Sequence, residues 1–165
     1  MKTARLTIRL MLAIASLCFA AGAVAAENPR TGVSLSVALH DANQLAAQNP
    51  ALRVLRVEGN SMLPFFGSGA VLVVKPMPAA SLHAGMVVVY TNRFNETVAH
   101  RVVARTAAGL EVRGYNNDRA DSTVVTDANL IGVVYVTFHS NSRVDSPMLA
   151  AVNGGAQVAL AASAR

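Results

Sequence analysis

Among its 165 residues the chain has one cysteine, Cys18, and only one lysine beyond residue 26, Lys75. Cys18 lies in an apolar N-terminal run, so the remainder can form neither a disulfide nor a thiolate metal site, and its stability must come from packing. The shortage of lysine nearly excludes lysine as a base in any site the chain builds. The four histidines, His40, His83, His100 and His139, are scattered without a ligand spacing, so neither metal nor cofactor is implied. No internal repeat is present.

A net charge of +5 would ordinarily raise the question of nucleic acid. Three of the fourteen basic residues but none of the nine acidic ones precede residue 27, which leaves a net charge of +2 for the rest. No basic run or aromatic-interleaved patch remains to follow a phosphate backbone, so nucleic-acid binding is not supported.

What the N-terminus does have is an export pattern. Lys2, Arg5 and Arg9 precede a continuous apolar run from Leu10 to Ala20, and small residues continue through Ala26. A basic start, a short apolar stretch and the Ala-x-Ala-like Ala23-Val24-Ala25 describe a signal peptide. An uncleaved anchor over residues 10–26 is the other reading, since these 17 residues reach the lower edge of the roughly 17–25 that span a bilayer. The Ala-rich end favours cleavage, and Cys18 lacks the preceding small residue of a lipoprotein site. Either reading predicts an exported, periplasmic or extracytoplasmic protein, held at the membrane if residues 10–26 persist.

Three zones follow. Residues 27–50 form a lead-in of ambiguous periodicity: Val33, Leu35, Val37 and Leu39 alternate as in a strand, whereas Leu35, Leu39, Ala42 and Leu45 could line a helix. Asn49-Pro50 stops either one. Residues 51–138 contain Val-rich runs at Arg53–Val57, Ala70–Lys75, Met86–Thr91, Thr97–Arg105, Leu110–Arg113 and Ile131–Phe138, separated by turn-forming residues. They predict a mainly β, small antiparallel domain with one modest core. Residues 139–165 are an Ala/Ser-rich tail, interrupted by Gly154-Gly155 and too weakly apolar to cross a membrane.

The segment Gly59-Asn60-Ser61-Met62-Leu63-Pro64 holds a serine in a fixed loop. A serine hydroxyl is a weak nucleophile until a neighbouring base takes its proton. His100 is the histidine that stands apart, because it sits mid-strand in Thr97-Val98-Ala99-His100-Arg101-Val102-Val103 and needs a polar partner there. The polar turn Gly114-Tyr115-Asn116-Asn117-Asp118-Arg119-Ala120-Asp121 offers two carboxylates, either of which could orient an imidazole. Taken singly, each feature has an ordinary structural explanation: a turn, a satisfied strand histidine, and a loop in which Asn and Asp cap their own backbone.

Their order and spacing alter that reading. The series Gly59-x-Ser61-Met62-x-Pro64, Gly69, Gly85-Met86-Val87-Val88-Val89-Tyr90, His100-Arg101-Val102-Val103, Gly114-x-Asn116-Asn117, Asp121 and Gly132 resembles the type I signal peptidase family. Within it, the series is most similar to the Ser–His branch of the endoplasmic reticulum, archaea and some bacteria. The resemblance covers roughly residues 54–137 and implies an open, coiled antiparallel β domain that binds an extended peptide or precursor protein by strand addition, with pockets favouring Ala at the cleavage site. It implies Ser61 as nucleophile, His100 as general base and Asp121 as third residue, with Asp118 as the nearby competitor. The Ser61 N–H would be one oxyanion donor, and Asn60 could help, since Gly59 stands where the family often has a serine.

The departures are specific. Where the family has Gly-Asp, this chain has Gly69-Ala70, Gly85-Met86 and Gly114-Tyr115, and 34 residues (27 to 60) separate the export segment from Ser61. Two functions are therefore open: a serine endopeptidase acting on exported precursors, or a catalytically inactive exported domain that binds extended peptides or acts as a scaffold. The related self-cleaving repressor domain fits less well, given the export signal and the missing helix-turn-helix partner. A histidine base must be neutral to accept the serine proton, so an active enzyme would lose activity on the acid side.

Overall fold

The computed structural model describes residues 27–29, 31–142 and 150–151. Residues 1–26, which the sequence reads as an export signal or anchor, lie outside the described residues, as does the tail beyond residue 142 apart from residues 150–151. Among the described residues no helix is long and apolar enough to cross a membrane.

The lead-in resolves as a helix, α1 (Leu35–Ala47), with Ser34 as N-cap accepting a hydrogen bond from the Val37 N–H at 3.3 Å. Helical spacing wins over alternation because it gathers Leu35, Ala38, Leu39, Ala42, Leu45 and Ala46 on one face and leaves Val37 about half exposed. Ala38 and Ala42 are the buried contacts, and their small side chains let the helix lie close against Val54, Val71 and Val73.

The Val-rich runs become β1 (Arg53–Arg56), β2 (Val71–Lys75), β3 (Val87–Thr91), β4 (Thr97–Thr106), β5 (Gly109–Arg113) and β6 (Leu130–Phe138), and a two-residue β7 (Ala150–Ala151) pairs with β1. All pairings are antiparallel, in the open order β5-β4-β3-β6-β2-β1-β7. β6 thus joins the β1–β2 pair to the β3–β4–β5 meander. The observed fold is the expected small, mainly β domain.

Both sheet faces are covered. Leu72 and Val74 of β2 point into one cluster with Leu55, Met62, Phe66, Val89 and Ala99, while Val71 and Val73 point to α1. Further along the sheet, Val88, Tyr90, Val102, Leu110, Val112 and Val125 form another cluster. This two-sided burial explains why β2 reads as a continuous apolar run rather than an alternating one.

Ala42 is fully buried at the helix–sheet contact. Ala42→Leu is expected to force α1 off Val71 and Val73 and to lower stability by about 1–3 kcal/mol, measured as a lower urea midpoint with an unchanged slope.

Candidate active site

Each group of the site comes from a different segment. β1 ends at Arg56, and the chain then enters a turn held by hydrogen bonds from Leu63 N–H to Asn60 O (3.2 Å) and from Phe65 N–H to Met62 O (3.0 Å). Met62, Leu63 and Phe66 of this turn are buried, so the backbone carrying Ser61 is anchored from within. Leu63-Pro64 is a cis peptide bond.

A second loop braces the first. After β5, the Asn116 N–H donates to the Ser61 carbonyl at 2.8 Å and the Asn116 side-chain amide donates to the Asn60 carbonyl at 3.3 Å. Gly114 is required at this approach, because a Cβ there would lie 2.6 Å from the Ser61 carbonyl oxygen. The loop then folds back along β5, where the Asp121 N–H donates to the Val112 carbonyl at 2.9 Å.

His100 lies in β4 opposite Val88 of β3, and is the buried polar side chain among the described residues. Its Nε2 is 2.9 Å from Ser61 Oγ, and its Nδ1 is 2.5 Å from Asp121 Oδ2. A carboxylate at Nδ1 fixes the proton there, which leaves Nε2 as an acceptor for the Ser61 hydroxyl. Tyr90 of β3 donates its hydroxyl to the same Asp121 oxygen.

Burial of Asp121 opposes its ionisation, but hydrogen bonds from His100 and Tyr90 outweigh it and hold the carboxyl below the usual carboxylate range. Burial, joined by the bond to Asp121 and its negative charge, pushes the Tyr90 phenol well above its ordinary value. The pair therefore stays as carboxylate plus neutral phenol around neutrality, so Tyr90 acts as a donor to Asp121. Such an arrangement can hold a serine proton acceptor in one tautomer and stabilise the imidazolium that forms when it accepts.

The residues proposed from the motifs separate clearly in space. Ser61, His100 and Asp121 are brought together. Asp118 is exposed on the loop, and Asp121 is the carboxylate bonded to His100. Asn60 contributes its backbone carbonyl to the brace, while its side-chain oxygen lies over Gly67, 2.9 Å from where a Cβ there would stand. Tyr90 was not anticipated. Its signal was a phenol in an otherwise aliphatic strand, where a buried hydroxyl needs a partner.

The other histidines and Lys75 are elsewhere: His40 is exposed on α1 and bonded to Gln44, His83 is exposed, and Lys75 is exposed at the end of β2. Among the described residues no group of three or more His, Cys, Asp or Glu side chains could hold a metal ion. Clefts of about 490 and 440 Å³, one beside the β3–β4 turn and one beside the start of α1, are lined by none of Ser61, His100 or Asp121.

The family profile described as Peptidase S24-like matches residues 14–135, three quarters of the chain. The chain belongs to this family. Peptidase S24-like proteins share a superfamily of serine-peptidase-like folds with the LexA-like and signal-peptidase-like proteins, which is the level at which the motif series and the profile agree. The family is one of serine-peptidase-like hydrolases, some of whose members are inactive. No curated protein and no solved structure matches the chain.

The Asp121 contacts predict a pH dependence of stability. A carboxyl whose folded value is depressed stabilises the fold above its unfolded value, near 3.9, and that contribution disappears as the pH falls through the lower folded value. The difference in unfolding free energy between the native chain and Asp121→Asn should therefore be largest at neutral pH and shrink steadily below about pH 4, as read from urea titrations across the range.

Proposed function

We propose that this S24-like chain is a serine endopeptidase of the signal-peptidase type that cleaves exported precursor proteins after small residues. The observation that carries the proposal is the continuous path from Ser61 Oγ to His100 Nε2 (2.9 Å) and from His100 Nδ1 to Asp121 (2.5 Å). Ser61 is the nucleophile, His100 the general base and Asp121 the residue that orients and stabilises the charged imidazole.

In the first step Ser61 Oγ attacks the scissile carbonyl while its proton passes to His100 Nε2. The Ser61 N–H has no backbone partner among the described residues and supports the developing oxyanion. When the tetrahedral intermediate collapses, the C–N bond breaks and the His100 proton goes to the leaving amine. Water then attacks the acyl ester with His100 again taking a proton, and collapse returns that proton to Ser61 as the shortened peptide carboxylate departs.

An extended precursor segment is the substrate form that suits an open antiparallel sheet. The export pattern of residues 1–26 supports a site of action outside the cytoplasm, with residues 10–26 either removed or retained as an anchor. The loss of three family acids, which favours the inactive peptide-binding alternative, does not reach the Ser61–His100–Asp121 contacts. Ala70 is buried in the core and Tyr115 packs on neighbouring side chains, so two of the exchanged positions are absorbed by packing.

Intact-mass analysis after treatment with a fluorophosphonate checks this reading. One adduct on Ser61 is expected, absent in Ser61→Ala and slowed at least about 100-fold in His100→Ala. A folded protein that forms no adduct would instead support the peptide-binding alternative.

A further inference from the structure

Beside Ser61 stand two rings that the triad does not use: one is largely exposed, and the other, Tyr115, is partly buried against the core cluster of Met62 and Phe66. Phe65, in the same turn as Ser61, is 54% exposed, whereas its neighbour Phe66 is 4% exposed and belongs to the core. The Phe65 ring lies 4.2 Å from that of Tyr115, tilted by 42°. On Tyr115, in turn, sits the guanidinium of Arg101, 4.2 Å from the ring centroid. Arg101 is adjacent in β4 to His100, and its buried Nε has no hydrogen-bond partner, so the ring face is its principal contact on that side.

The backbone places this stack at the reacting serine. Tyr115 is flanked by Gly114, whose Cα approaches the Ser61 carbonyl, and by Asn116, whose N–H donates to that same oxygen. Phe65 is tied into the nucleophile turn by its N–H bond to Met62. The two rings therefore belong to the two loops that meet at Ser61, and their separation is fixed by the brace that fixes the serine. Tyr115 also occupies a position where the resembled family carries an acid, so the apolar surface replaces a charge.

We propose that Phe65 and Tyr115, steadied by Arg101, form an apolar ledge that binds a large aliphatic or aromatic side chain of the extended peptide close to the bond presented to Ser61. This rests on the reading of the site as a peptide-binding one and names a preference within it: small residues at the cleaved bond, and one bulky apolar residue nearby on the ledge. The rings are rigid, with two side-chain torsions each, so they offer contact area with little conformational freedom to lose. Arg101 and the core hold Tyr115 in place, and the exposed part of Phe65 is free to meet the ligand.

The test separates binding from chemistry. In the full chain carrying Ser61→Ala, the affinity of blocked, lysine-tagged alanine octapeptides is measured with one alanine at a time replaced by leucine or glycine. At one or two adjacent positions leucine is expected to tighten binding about tenfold over glycine. Adding Phe65→Ala or Tyr115→Ala should abolish that ratio, while Phe65→Leu and Tyr115→Phe retain most of it. An equal leucine and glycine affinity at every position, or a ratio that survives both alanine variants, overturns the ledge, as does the absence of any peptide binding. Failure of the fluorophosphonate adduct would remove the catalytic reading yet leave the ledge standing if the leucine ratio is found.

Discussion

The His100 imidazole bridges two things the rest of the molecule must hold in place. One ring nitrogen faces a serine in the turn after β1, and the other faces a carboxylate in the loop after β5. A buried polar ring is tolerated only when its hydrogen-bonding atoms are satisfied, so the position of β4 against β3, the back-folding of the loop along β5 and the brace between the two loops are mutually dependent. Tyr90 extends this dependence into the core, because its ring belongs to an apolar cluster while its hydroxyl serves Asp121. Packing and site geometry are thus continuous through one side chain.

Much of this was legible in the amino-acid order. The strands were visible as Val-rich runs, most continuous in β2 and β3, which are buried on both faces, and their edges fell within a residue or two of the observed bounds. The lead-in was not decidable alone: its apolar residues satisfy both periods, and only the sheet face beneath α1, with Val54, Val71 and Val73, selects the helical one. Ser61 and His100 were accessible through motif order. Asp118 and Asp121 could be ranked only by the family spacing, since the deciding event is the Asp121 N–H bonding to Val112.

What sequence could not supply was contact between segments without a common motif. Tyr90 meets Asp121 across 31 residues, and Phe65 meets Tyr115 across 50. Asn116 was noticed as part of a turn, yet its importance lies in a backbone N–H, which every residue except proline possesses and no side-chain pattern advertises. Gly114 is similarly informative only once the Ser61 carbonyl is known to pass beside it.

The central place of β6 has a consequence for the life of the chain during synthesis. Ser61 belongs to the half built on β1 and β2, and His100 and Asp121 to the half built on β3, β4 and β5; β6, the strand nearest the C-terminus among these six, lies between the halves. Until Phe138 has left the ribosome, the two halves lack the strand that joins them. Ser61 and His100 are therefore held together only once β6 has been made and has paired with both β2 and β3, and a chain stalled before that strand lacks the element that joins them.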